Sequence, residues 1–217
     1  EIIGDIDRVF EYLPAPGQFV NLLPKYEPGD DAASMAAKCL KALQSGGMVT
    51  LGAFGGYITV GFNATVQNQE GPDFRIDGNA YNGNAEPGVV WVSADANGNG
   101  EPDDAWYEIW GSEQKAGRST QDYTIRYAKP AADNQDSPWK GSDGKTGSIL
   151  HNIYHSQPYY PQWCDNDTLT FTATLLPDNA SFENNQYVFS SFEYGYVDNK
   201  PNSLENSAFD IDWIGVK

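Results

Sequence analysis

Alternation between apolar and polar residues is the main pattern after residue 47, and it predicts β-strands. The clearest case is Thr168–Leu175, in which four threonines separate apolar residues at every second position. A period of two places successive side chains on opposite faces of a sheet, so this strand is expected to bury one face and expose the other. Similar runs predict strands at 57–62, 73–77, 89–93, 106–110, 123–127, 187–190 and 209–213. The run at 89–93 is apolar almost throughout, as in a central strand.

One segment before residue 47 has a helical spacing instead. Its apolar residues recur at intervals that place them on one face of a helix: Ala32, Met35, Ala36, Cys39, Leu40 and Leu43. Asp30 or Asp31 can cap the start of this helix, and Gly46 can end it. The first 30 residues are predicted to form an irregular lead. Residues 129–148 are predicted to form a long polar loop, of a kind that is often functional or mobile.

These elements predict an all-β protein: an antiparallel β-sandwich, of the jelly-roll type, with one short N-terminal helix. We expect residues 1–46 to form a lead and helix that pack on the sandwich, and residues 47–217 to form the sandwich domain. A chain of 217 residues can bury one large core or two small ones, and we expect a single structural domain.

The net charge of the chain limits the classes of partner that we expect. The chain has 13 basic and 30 acidic residues, a net charge of −17. Such a surface repels phosphate backbones and anionic lipids, so we expect neither nucleic acid nor a membrane surface as a partner. No apolar run approaches the ~18 residues of a membrane span, so no transmembrane segment is expected. The excess of acid fits a cation-rich medium outside the cell.

A cation-binding pattern lies between two predicted strands. Six residues in it carry side-chain oxygen: Asp95, Asn97, Asn99, Glu101, Asp103 and Asp104. Short oxygen ligands at the first, third and fifth positions, with a glycine at the sixth, are typical of a loop that wraps Ca²⁺. Trp106 replaces the twelfth-position glutamate of an EF-hand, so we expect a structural Ca²⁺ site of weak affinity, roughly 10⁻⁴–10⁻³ M. The alternative is a solvated hairpin connection rich in Asn-Gly turns.

Catalytic residues are poorly marked. His151 and His155 are four apart, but zinc hydrolases with that spacing have a glutamate where this chain has Asn152. The sequence contains neither Gly-x-Ser-x-Gly nor a phosphate-binding glycine loop that leads from a strand into a helix. Three glutamates are candidates for glycoside cleavage: Glu86, Glu108 and Glu193. No marker distinguishes them, so we predict no catalytic residues.

The two cysteines, Cys39 and Cys164, allow two interpretations. In an oxidising compartment they can form a disulfide. As buried free thiols they behave as small apolar residues. The sequence leaves both alternatives open.

Aromatic residues offer a binding surface. Tyr154, Tyr159, Tyr160 and Trp163 lie within ten residues, and Trp139 lies in the predicted polar loop. Exposed aromatic rings stack on sugar rings or flat ligands, while polar neighbours bind hydroxyl groups. We predict a ligand patch made of Trp139, Tyr159, Tyr160 and Trp163. The alternative is that these rings are part of the core.

Several segments together resemble one family. They are residues 13–20, 55–62, 71–80, 86–93, 95–108, 155–163, 195–199 and 209–213. As a set they resemble the secreted or lipid-anchored cell-surface proteins of Bacteroidetes, and two of them are also similar to jelly rolls of the galactose-binding type. The resemblance implies an exported β-sandwich encoded near outer-membrane nutrient uptake systems, including those for corrinoids. Asn63 stands where relatives often have aspartate. Relatives usually continue beyond Trp213, so we expect one domain of a longer protein.

Together these patterns predict a calcium-stabilised, non-catalytic binding module on the cell surface, for a glycan or another small-molecule nutrient. An outer-membrane transporter is an expected partner. An accessory role in corrinoid (vitamin B12) capture is the first alternative and depends on the resemblance alone. A glycoside-active enzyme is the second.

Overall fold

The computed structural model describes residues 5–215, which are mainly antiparallel β-structure. In chain order the elements are β1 (Ile6–Leu13), α1 (Ala32–Gln44), β2 (Tyr57–Phe62), β3 (Phe74–Arg75), β4 (Val90–Ser93), β5 (Trp106–Ile109), α2 (Ser112–Lys115), β6 (Thr120–Ala128), β7 (Ser137–Gly141), β8 (Thr146–Ile149), β9 (Thr168–Leu175), β10 (Ala180–Glu183), β11 (Gln186–Phe189), β12 (Ala208–Phe209) and a 3₁₀ turn (Ile211–Trp213). The predicted class, an all-β antiparallel sandwich with one short N-terminal helix, is confirmed.

The strands of residues 5–215 form one four-stranded sheet and four two-stranded ladders. The four-stranded sheet has the order β8-β7-β6-β9, and the ladders are β1–β2, β3–β12, β4–β5 and β10–β11. The described residues divide into two compact units. The first unit contains residues 5–65 and Gln121–Leu175, and the second contains Val66–Thr120 and residues 176–215. These boundaries differ from the division at residue 46 suggested by the sequence.

In the first unit, the β1–β2 ladder lies between α1 and the four-stranded sheet. Leu13 and Tyr57 form one cross-strand pair, and Tyr12 and Ile58 form the next. Because successive pairs in a ladder point to opposite faces, the two pairs enter two different cores. Leu13 and Tyr57 pack on buried residues that include Tyr127, from the sheet. Tyr12 and Ile58 belong to the core that contains the α1 residues Met35 and Cys39.

The helix α1 starts where the sequence predicts. The Ser34 N–H donates to Asp31 Oδ1 (2.8 Å), and the Asp31 N–H donates to Ser34 Oγ (2.8 Å). This reciprocal capping satisfies two backbone donors at the helix start. Gly46 follows the helix with a φ of 73°, a conformation that glycine adopts without steric cost.

The second unit has its own core around the β4–β5 ladder. Val90, Ile109 and Phe209 are buried there, and Phe74 stacks on Phe209 at 5.5 Å between ring centroids. The β3–β12 ladder thus covers the inner face of β4–β5. The outer face carries Trp91, which is 36% exposed, so the prediction that this strand is buried as a central strand is wrong. β4 pairs with β5 alone among the described strands, and its outer side chains meet solvent.

The predicted irregular lead contains a strand, β1. The pairing of β1 with β2 shifts register between Ile6 and Arg8 and again between Val9 and Glu11. Each β-bulge inserts a residue and inverts the alternation of the side chains that follow. Two bulges within eight residues erase the period of two that a strand prediction requires.

The prediction of a long unstructured loop at residues 129–148 is also wrong. The hairpin β7–β8 occupies most of it, with Trp139 opposite Gly147. The turn contains Asp143-Gly144, a strong hairpin signal, and Gly144 has a φ of 83°. The abundance of polar residues concealed the short strands.

The predicted strand at 209–213 is a strand only at its start. β12 ends at Phe209, and the Asp212 N–H then donates to Asp210 Oδ1 (2.8 Å) to begin the 3₁₀ turn. An aspartate that accepts from the backbone two residues later favours a turn over a strand. The predicted strand at 73–77 is likewise reduced to Phe74–Arg75.

Asn21 joins the irregular lead to a second irregular segment of the first unit. Its side chain donates to the carbonyls of Pro158 (2.8 Å) and Tyr160 (2.9 Å) and accepts from the Gln162 N–H (3.0 Å). Asn21 is 5% exposed and has a φ of 68°, in the left-handed region that asparagine tolerates. One side chain therefore satisfies three backbone groups where neither segment forms a sheet.

We expect Asn21→Ala to lower the free energy of unfolding by about 2–4 kcal/mol, because it leaves buried backbone groups without partners and places alanine at positive φ. Urea unfolding followed by circular dichroism measures the change. Asn185→Ala is the matched control, since Asn185 is exposed with a φ of 66° and is expected to lose only about 1 kcal/mol. Equal losses in the two variants would contradict the role of the Asn21 hydrogen bonds.

Candidate calcium loop and ligand-binding surfaces

The predicted calcium loop connects β4 to β5, as the sequence indicates, and seven of its ten residues are exposed, the other three being half-buried. Asp95 organises its first half. Its Oδ1 accepts from the Asn99 N–H (3.0 Å) and its Oδ2 accepts from the Gly100 N–H (2.9 Å). Gly98 and Gly100, with φ of 73° and 76°, supply the curvature that brings these amides round to one carboxylate.

Asparagine side chains bring the second half of the loop to the first. Asn97 Nδ2 and Asn99 Nδ2 donate to the two carboxylate oxygens of Asp103, each at 3.0 Å. Asp104 Oδ2 accepts from the Ala96 N–H (3.0 Å), and the Glu101 N–H donates to Asn99 Oδ1 (2.8 Å). All six predicted metal ligands thus lie in one hydrogen-bonded loop.

The chemistry of this loop suits a hard cation. Carboxylate oxygens have two lone pairs each, so those of Asp95 and Asp103 retain acceptor capacity beside their N–H partners. The amide oxygens of Asn97 and Asn99 accept from the Asn99 N–H (2.9 Å) and the Glu101 N–H (2.8 Å), and each keeps a second lone pair. Within residues 5–215, no three His, Cys, Asp or Glu side chains stand together as a metal-binding group. The loop would therefore use amide oxygens together with its carboxylates.

The four aromatic residues of the predicted ligand patch do not form one exposed surface. Tyr159 and Tyr160 are only 2% and 3% exposed. The Tyr159 hydroxyl accepts from the Asn152 N–H (3.1 Å), and the Tyr160 hydroxyl donates to the Asn166 carbonyl (2.7 Å). Their rings are part of the core, which is the alternative that the sequence left open. They are buried because the hydrogen bonds of Asn21 hold the segment that carries them inward.

The two tryptophans of the predicted patch are half-buried in separate places. Trp139 lies on β7 across from Gly147, where a Cβ would stand 2.6 Å from the indole. Trp163 stacks on Tyr12 with ring centroids 5.6 Å apart, in the core beside α1. The two indoles thus belong to two different hydrophobic clusters.

The two histidines contact different aromatic rings, and the two cysteines lie in different hydrophobic clusters. His151 packs on Tyr159 (4.6 Å between centroids), whereas His155 packs on Phe19 (5.0 Å). Cys39 and Cys164 are free thiols in separate clusters. Burial raises the pKa of Cys39 to about 12 and that of Cys164 to about 11, so both stay protonated at neutral pH.

One of the candidate catalytic glutamates belongs to a buried polar network in the second unit. Glu108 is 4% exposed and accepts from Gln114 Nε2 (2.7 Å). The Tyr196 hydroxyl in turn donates to Gln114 Oε1 and accepts from the Glu113 N–H (2.7 Å). Arg118 donates to both carboxylate oxygens of Glu113, each at 2.7 Å. Helix α2 thus contributes a hydrogen-bonded cluster beneath the surface.

A surface groove that the sequence did not indicate lies elsewhere in the second unit. Its volume is about 250 Å³, and it is lined by Tyr81, Asn82, Gly83, Val188, Ser190, Ser191, Asn199 and Pro201. We name it the Tyr81 groove. Its only sequence signal is the run Tyr-Asn-Gly-Asn at 81–84, which predicts no more than a turn.

No helix among the described residues combines the length and the apolar character that crossing a membrane requires. Comparison of the sequence with models of protein families and with curated proteins found no match. The resemblance to exported surface proteins of Bacteroidetes therefore stays a prediction.

The Glu113–Arg118 pair predicts a specific acid sensitivity. The Arg118 hydrogen bonds hold the pKa of Glu113 below its ordinary value. A depressed folded pKa means that the stabilisation is complete above the unfolded pKa, about 4.3, and is lost as pH falls below it through the folded pKa. Glu113→Gln should therefore be less stable than the parent at pH 7 and lose less stability between pH 5 and 3.

Urea unfolding at several pH values measures this difference. The matched control is Glu70→Gln, which changes another exposed glutamate of the second unit and should follow the acid profile of the parent chain. Parallel acid profiles for Glu113→Gln and the parent chain would refute a stabilising role for the ion pair.

Proposed function

We propose that this protein is a non-catalytic binding module that works outside the cell, is stabilised by Ca²⁺, and takes a glycan or another hydroxyl-rich nutrient. The observation that carries the proposal is the loop at residues 95–104, in which the Asp95 and Asp103 carboxylates are hydrogen-bonded to the Asn97 and Asn99 amides and to backbone N–H groups of the same loop. Asp95, Asp103 and Asp104 lie within ten residues, and like charges at such spacing repel one another. A divalent cation offsets that repulsion.

The loop would transmit calcium binding to the strands on either side of it. Asp95 and Asp103 would hold Ca²⁺ with the amide oxygens of Asn97 and Asn99. The Trp106 indole N–H donates to the Pro102 carbonyl (3.2 Å), so the first residue of β5 is anchored on the loop. Bound Ca²⁺ would restrict this connection and stabilise the β4–β5 ladder.

The arrangement of the buried acids supports a non-catalytic role. Glu113 is engaged by Arg118 through both oxygens, and Glu108 accepts from the Gln114 amide. A general acid or nucleophile needs access to substrate, whereas these carboxylates are 4% exposed. Their contacts support a structural function in the fold. The surface location and the partnership with an outer-membrane transporter depend on the sequence resemblance alone.

We expect Ca²⁺ to raise the melting temperature of chelator-treated protein. Because 10 mM Ca²⁺ is about 10–100 times the expected Kd, it adds about 1.4–2.7 kcal/mol, which for a chain of this size is roughly 3–11 °C. Differential scanning calorimetry with and without 10 mM CaCl₂ measures the shift. The double variant Asp95→Ala/Asp103→Ala should lose it, and Asp133→Ala, which changes an exposed aspartate outside the loop, should keep it. An unchanged melting temperature for the parent chain would refute the calcium site.

We expect the calcium-loaded protein to bind at least one neutral saccharide on a glycan array, with a corrinoid titration in parallel. Neutral, hydroxyl-rich ligands avoid repulsion by the net charge of −17. Binding of a corrinoid without any saccharide would replace the glycan proposal by corrinoid capture. Binding of neither would refute both.

A further inference from the structure

We infer that the ligand site is the Tyr81 groove, and that it binds a single uncharged sugar unit stacked on the Tyr81 ring. This inference rests on the proposed function, because it locates the glycan site of that binding module. It replaces the predicted aromatic patch, in which Tyr159 and Tyr160 are buried. The whole groove lies within the second unit.

Backbone pairing holds one side of the groove in place. The Phe189 N–H donates to the Gly83 carbonyl (2.8 Å), and the Ala85 N–H donates to the Phe189 carbonyl (3.1 Å). Asn179 Nδ2 adds a cross-link by donating to the carbonyls of Ala85 (3.1 Å) and Ser190 (2.9 Å). The turn that carries Tyr81 is therefore fixed to the end of β11.

A second asparagine fixes the opposite side. Asn199 is 4% exposed, and its amide accepts from the Phe192 N–H (2.7 Å) and donates to the Phe192 carbonyl (3.0 Å). Asn206 Nδ2 donates to the Pro201 carbonyl (2.8 Å). Both walls are thus formed before any ligand arrives, as is usual for binding sites.

Polar side chains at the rim remain available to a ligand. Tyr81, Asn82, Ser190 and Ser191 are exposed, and within residues 5–215 their side chains make no hydrogen bond. Three hydroxyl groups and one amide offer both donors and acceptors, which suits a ligand with several hydroxyl groups. No residue that lines the groove is charged, although the chain has a net charge of −17. The groove therefore favours a neutral ligand over a cation or an anion.

The size of the groove and the exposure of Tyr81 narrow the ligand further. Tyr81 is 64% exposed, so a large part of its ring is free to cover the apolar face of a sugar. The groove volume of about 250 Å³ lies below the roughly 300–1,000 Å³ of sites for drug-sized ligands. One sugar ring suits that volume, and a corrinoid macrocycle exceeds it.

Titration of ¹⁵N-labelled protein with glucose, galactose, mannose and N-acetylglucosamine, followed by NMR, tests the inference. We expect one sugar to shift the amide signals of Gly83, Ser190 and Ser191 and to bind with millimolar Kd. Tyr81→Ala should weaken its binding at least tenfold, and Tyr81→Phe should stay within about threefold of the parent chain because it keeps the ring.

Tyr187→Ala is the matched control. Tyr187 is 67% exposed on β11, and the strand alternation places it on the face opposite Val188, which lines the groove. Its removal should leave the Kd within twofold. Unfolding temperatures of all variants show whether a loss of binding reflects a loss of fold. Ser190→Asp, which adds a charge at the rim, is a second variant that should abolish binding.

The outcomes separate this inference from the proposed function. Saccharide binding with shifts outside the groove, or with Tyr81→Ala as tight as the parent chain, would overturn the location and leave the binding module standing. No binding to any neutral saccharide, here or on the array, would overturn both.

Discussion

Buried backbone groups must find hydrogen-bond partners, and in this protein that constraint falls on its long irregular segments. Asparagine and aspartate side chains meet it repeatedly. Asn21 serves three backbone groups in the first unit. In the second unit, Asp198 Oδ1 accepts from the N–H groups of Asn79 (2.6 Å) and Ala80 (2.7 Å), while Asn179 and Asn199 bridge carbonyls and amides. Short ladders are sufficient to form this fold because these asparagine and aspartate side chains hold the irregular segments that connect the ladders.

The same chemistry produces both candidate sites. In the predicted calcium loop, Asp95 and two asparagines satisfy backbone amides and would also present oxygen to the proposed Ca²⁺. Beside the Tyr81 groove, Asn179 and Asn199 use their amides to hold the backbone and act as scaffold, and the polar groups offered to a ligand are those of the rim. An asparagine in this chain can therefore hold the backbone or contact a ligand. The hydrogen bonds that each asparagine makes decide which of the two roles it has.

Local signals accounted for much of the fold. The capped, amphipathic segment is α1, and the alternating runs at β2 and β9 are strands with the predicted bounds. Where the strand predictions failed, pairing with another strand or the residues around a turn had altered the local alternation of apolar and polar residues. The bulges of β1 arise from its pairing with β2, and the strands β7 and β8 depend on a hairpin turn whose polar surroundings suggested a loop.

The sequence by itself determined the class of fold, the position of the helix and the spacing of side-chain oxygens between β4 and β5, because each depends on residues close together in the chain. Only the tertiary structure decided which aromatic rings are exposed. Tyr159 and Tyr81 both lie in irregular polar segments, yet one is 2% exposed and the other 64%. The difference comes from Asn21, which lies more than 130 residues before Tyr159 and draws its segment into the core. No local pattern encodes a contact at that separation.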